Sequence, residues 1–64
     1  MNNLEIFLEE INNIETLNQR LTIECENHSV NINSGEAIFK TENKEFKTKS
    51  FNQFKSQINS FFNV

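Results

Sequence analysis

The chain opens on apolar positions three and four residues apart. Leu4, Phe7, Leu8, Ile11 and Ile14 form a stripe along one side of an α-helix. Glu9, Glu10 and Glu15 fall off the stripe and should face water. Asn2 or Asn3 can cap this helix. Asn2 with Glu5 three residues later has the form of a capping box, and Glu5 lies near the positive end of the helix dipole. Asn12-Asn13 is a weak point, because asparagine competes for backbone hydrogen bonds. Leu17 and Leu21 still follow the stripe closely, so the spacing predicts a helix over residues 3–18.

At Leu21 the period drops to two. Leu21, Ile23 and Cys25 alternate with Thr22, Glu24 and Glu26, which predicts a strand over 21–26 with one apolar face. Asn27-His28 can turn the chain. Val30 and Ile32 then alternate with Ser29, Asn31 and Asn33, and the two runs read as a hairpin. Asn33-Ser34-Gly35-Glu36 interrupts the pattern before Ala37-Ile38-Phe39-Lys40-Thr41 resumes it. Gly35 is the single glycine and should supply a positive φ or a bulge. Residues 29–41 therefore read as one long strand with a break near 34–36. Glu42 to Glu45 make a polar turn, and Phe46 with Thr48 marks a last strand over 45–48.

The helical period returns in SFNQFKSQINSFFNV. Ser50 with Gln53 forms a second capping box. Phe51, Phe54, Ile58, Phe61 and Phe62 cover one side of a helix over 51–62, and Asn52, Lys55, Ser56, Gln57 and Asn59 cover the other. A strand would send Phe51 and Phe54 to opposite faces. Phe51, Phe54, Ile58 and Phe61 are expected to close the core. The predicted fold is α+β: helix, three-stranded antiparallel sheet, helix, in one domain over 1–64. Both helices should pack on one sheet face. Thr22, Glu24, Glu26, Asn31 and Asn33 should line the wet one.

Size tightens this picture. A chain of 64 residues buries only about 60% of its unfolded surface. A single core of that size rarely supplies more than about 3–5 kcal/mol. One cysteine cannot form an internal disulfide, and no zinc-type spacing is present. The phenylalanines are needed for the core itself. The lone cysteine, and an N-terminus with no basic region before its apolar stretch, point to a reducing bacterial cytosol. No apolar run approaches the ~20 residues of a membrane helix. Asn27-His28-Ser29 has the form of a glycosylation sequon, which carries no meaning in that compartment. Abundant Asn, Lys, Ile and Phe, with no Pro or Trp, is the usage of AT-rich genomes, including low-GC bacteria and their phages.

The pairings of reactive residues build no catalytic or metal site. Cys25 and His28 are close in sequence, but the strand period turns Cys25 inward and leaves His28 at a turn. Glu24, Glu26 and His28 at i, i+2 spacing on one strand do not close a metal site. Glu9 and Glu10 are adjacent on a helix and diverge. One glycine cannot make a phosphate-binding loop. The sequence calls for no catalytic residues, no cofactor and no metal.

Charge is the distinctive signal. Residues 1–32 hold six glutamates (Glu5, Glu9, Glu10, Glu15, Glu24 and Glu26) against Arg20 alone, a net of −5. Residues 33–64 hold five lysines against three glutamates, a net of +2. The acidic residues can dock on the basic surface of a larger protein, such as a nucleic-acid channel, with carboxylates standing in for phosphates. The alternative is a nucleic-acid contact through Lys40, Lys44, Lys47 and Lys49, opposed by a pI near 5.0 and by three interleaved glutamates. A third reading is a homodimeric structural or assembly subunit joined through leftover apolar groups, namely Phe61, Phe62 and Val64.

The short acidic chain, its amphipathic first helix, its antiparallel sheet and its amphipathic last helix together resemble the small phage-encoded anti-CRISPR inhibitors. One type in that group blocks an RNA-guided nuclease with an acidic helix–three-strand–helix body seated where target DNA is read. The resemblance lies in element order, size and acidity across most of the chain. It implies an inhibitor whose partner is a larger defence protein, with Glu5, Glu9, Glu10, Glu15, Glu24 and Glu26 in the acidic role.

Overall fold

The computed structural model describes residues 3–62. Helix α1 (Asn3–Asn12) leads into four strands, β1 (Arg20–Cys25), β2 (His28–Asn33), β3 (Glu36–Lys40) and β4 (Glu45–Thr48), and the chain closes with helix α2 (Phe51–Phe62). The strands form one antiparallel sheet in the order β1-β2-β3-β4.

The expected three-stranded sheet is therefore corrected to four. Residues 29–41 do not run as one bulged strand. Ser34 (φ 49°) and Gly35 (φ 98°) both take left-handed backbone, the requirement of a type I′ turn, whose twist matches that of its flanking strands. The turn folds β3 back on β2 and sets Val30 opposite Phe39 and Ile32 opposite Ala37. Folding back keeps all four of these side chains on one face. At the β1–β2 turn the positive φ (50°) falls on Glu26.

Helix α1 is also shorter than its apolar period. It ends at Asn12, at the weak Asn12-Asn13 step, yet Ile14 and Leu17 remain buried. Residues 14–19 cross to the far hairpin as irregular chain, pinned by hydrogen bonds. The Gly35 amide donates to the Leu17 carbonyl (2.7 Å), and the Ser34 amide donates to the Gln19 carbonyl (3.0 Å). Of the two expected caps, Asn2 lies outside the described residues and Asn3 is the first helical residue.

One sheet face meets both helices. Ile23, Cys25, Val30, Ile32, Ala37 and Phe39 pack against Phe7, Ile11, Ile14, Leu17, Phe54 and Ile58 in one cluster. Phe54 and Val30 are fully buried. The helices run antiparallel, since Lys55 near the start of α2 reaches Ile11 and Phe62 at its end meets Phe7. Phe61 and Phe62 differ from expectation. Phe62 is half-buried against Phe7, His28 and Phe39, whereas Phe61 is 43% exposed.

Candidate functional site

The exposed sheet face is built by strand register. One row runs Glu24, Ser29, Lys40, Glu45; the next runs Thr22, Asn31, Ile38, Lys47; the last runs Arg20, Asn33, Glu36. Asn31 donates to the Thr22 hydroxyl across the strands at 2.9 Å. This face carries three bases and three acids, so it is neutral and its signs are mixed.

The net charge of −3 therefore resides elsewhere. Residues 3–19 carry Glu5, Glu9, Glu10 and Glu15 and no base. All four are exposed, and the same helix exposes Leu4 (39%) and Ile6 (41%). Between α1 and α2 lies a hollow of about 310 Å³ with Leu8, Ile11 and Ile58 in its lining and Glu9 and Lys55 beside them. The Lys55 ammonium donates to the Ile11 carbonyl at 2.7 Å and lies 5.5 Å from the centroid of Phe51. Burial lowers its pKa below the ordinary 10.5.

The six expected acidic residues do not share one face. Glu24 points from the opposite side of the sheet to the helices. Glu26 sits at the β1–β2 turn. These two line an open hollow with Glu42, whose carboxylate accepts from the Asn27 amide at 3.3 Å. Glu42 joins this group because the β3–β4 loop ends beside the β1–β2 turn, a proximity that only the sheet order creates. Glu9 and Glu10 stay together on α1.

The lysines are likewise divided. Lys40 and Lys47 lie on the neutral sheet face, with Lys40 directly across from Glu45. Lys44 is in the β3–β4 loop and Lys49 follows β4. Of the apolar interface residues, Phe61 is exposed, Phe62 is half-buried in the aromatic cluster, and Val64 lies outside the described residues.

His28 is placed differently from the expected exposed turn. It begins β2 on the core-facing side, directly across from buried Cys25. Its ring meets Phe7, Phe61 and Phe62 at centroid distances of 6.2, 5.7 and 5.2 Å. Its Nδ1 is buried without a hydrogen-bond partner. Among the described residues no group of three or more His, Cys, Asp or Glu is placed to hold a metal ion. No helix among them is long and apolar enough to cross a membrane.

The chain matches no family model, no curated protein and no solved structure.

Proposed function

We propose that this is a non-enzymatic accessory protein of phage or mobile-element type that binds and inhibits a larger host or defence protein in the bacterial cytoplasm. One observation carries the reading. Charge on the exposed sheet face cancels, while α1 and the loop after it hold four glutamates and no base beside exposed Leu4 and Ile6. An apolar and acidic helix suits a basic protein surface, because the apolar groups supply contact and the charges supply steering and register. Where that surface is a nucleic-acid channel, Glu5, Glu9 and Glu10 take the place of phosphates. Glu24 and Glu26 lie apart from them and belong to this surface only if the partner wraps the β1 edge.

Direct nucleic-acid binding draws less support. Phosphate contact needs bases gathered along a track, and Lys40 and Lys47 share their face with Glu24, Glu36 and Glu45. Affinity capture from the native cell across a salt series tests the proposal. Steered docking through α1 weakens as salt rises. Capture that is insensitive to salt, or a shifted duplex DNA band with the isolated chain, contradicts it.

A further inference from the structure

The outer edge of β4 is open, since β4 ends the sheet. Which backbone groups it presents follows from the turns. The two-residue β2–β3 turn makes Asn33 and Glu36 a hydrogen-bonded pair, and such pairs alternate along antiparallel strands. Ala37 and Phe39 therefore direct their backbone groups to β4. The Thr41 amide, donating to the Lys44 carbonyl at 2.8 Å, continues the same phase. Across that ladder Phe46 and Thr48 bond back to β3. Glu45 and Lys47 are left with N–H and C=O groups aimed outward.

We infer that this edge pairs antiparallel with β4 of a second copy, about a two-fold axis at Phe46. In that register Phe46 meets its own copy as a non-hydrogen-bonded pair, the closer of the two pair types. Glu45 meets Lys47 of the copy, and Lys47 meets Glu45. Both are hydrogen-bonded pairs, so the outward backbone groups of each chain find partners. Phase and charge agree in this register without adjustment. Within one chain Lys47 lies across from Ile38, an apolar neighbour; the copy offers it a carboxylate on the other side.

The helix layer fits the same axis. Helix α2 lies over β3 and β4. Adding a strand at about 4.8 Å brings the two α2 helices to about 10 Å, the distance of packed helices. The seam then covers Phe46, Gln57, Ser60 and Phe61, which already line one hollow. Phe61 is among the most exposed large apolar side chains described, and the Gln57 Oε1 is a buried acceptor without a partner. A second copy covers the first and brings the amide and hydroxyl donors of its own Gln57 and Ser60 to the second. An isologous contact of this kind closes on itself and ends at two chains.

Sedimentation equilibrium of the full chain from micromolar to millimolar concentration tests the inference. Wild type should pass from the 7.5 kDa monomer to a species of twice that mass. Glu45→Lys alone and Lys47→Glu alone each place like charges opposite and should dimerise about tenfold more weakly or worse. An equimolar mixture of the two variants restores opposite charges at both positions and should form a mixed dimer. Circular dichroism of each variant confirms that it is folded. A wild-type mass of 7.5 kDa at millimolar concentration, or single variants that dimerise as wild type does, overturns the pairing. A mixture no better than its components overturns the register.

Discussion

The Lys55 ammonium lies 2.7 Å from the Ile11 carbonyl oxygen. Ile11 is in the last turn of α1, where carbonyls lack intrahelical partners and the helix dipole is negative. No basic residue stands in that turn of α1 itself. The second helix therefore adds a charged donor to the C-terminal end of the first, beside the Ile14 amide that already bonds the same carbonyl. Replacing Lys55 by methionine keeps much of the apolar stem and removes one of the two donors to that carbonyl, leaving the Ile14 amide at 3.0 Å. The expected loss is about 0.5–1 kcal/mol, read by urea unfolding.

Burial of the same ammonium has a pH signature opposite in sign to that of its hydrogen bond. Burial lowers the pKa of Lys55 below its ordinary 10.5. Between the lowered value and 10.5 the unfolded chain holds more protons than the folded one, so this group's contribution to stability rises with pH. Other residues titrate in that range, so the comparison with Lys55→Met isolates it. The stability gap between wild type and variant should widen from neutral pH toward 10.5. Unfolding curves showing a constant or narrowing gap contradict desolvation of the Lys55 ammonium as the dominant effect on its titration.

The two tight turns predict changes of opposite sign. Gly35 has φ +98° and open space where a Cβ would lie. Gly35→Ala should cost about 1–2 kcal/mol from backbone strain alone. Glu26 already bears a left-handed φ of 50°. Glu26→Gly relieves it and should raise stability by about 0.5–1 kcal/mol. Thermal melts of the two variants should move in opposite directions.

The core leaves little margin. Phe54 is fully buried between α2 and the sheet. Phe54→Ala should cost about 3–5 kcal/mol, as much as a single core of this size supplies. Loss of dispersed amide proton signals is expected. A well-dispersed spectrum for this variant would show that stability comes from elsewhere, including a partner chain.

Helix α2 was legible because its cap and its spacing agree. The Gln53 amide donates to the Ser50 hydroxyl at 3.2 Å. The box is closed differently from its usual form, since the Gln53 side chain accepts from the Thr48 hydroxyl (3.1 Å), which accepts from the Ser50 amide (3.1 Å). The end of α1 was not legible. Ile14 and Leu17 continue the apolar period while the backbone has left the helix, so burial and helicity part company there. The fourth strand was hidden for a similar reason. One glycine permits either a bulge or a turn, and what decides for a turn is the left-handed backbone of Ser34, which residue type does not announce. The acidic excess is legible in the sequence, but its division between α1 and the β1–β2 end depends on strand order. Glu42 joined them only through the fold.

The proposed docking surface is the acidic, partly apolar side of α1. Parallel affinity capture from the native cell, at physiological salt, tests it with two charge-reversed variants. Glu9→Lys with Glu10→Lys alters α1 and should lose the captured partner. Glu36→Lys with Glu45→Lys makes the same change of charge on the neutral sheet face, away from the β1 edge, and should keep it. Retention by the α1 variant, or equal loss from both, contradicts the claim.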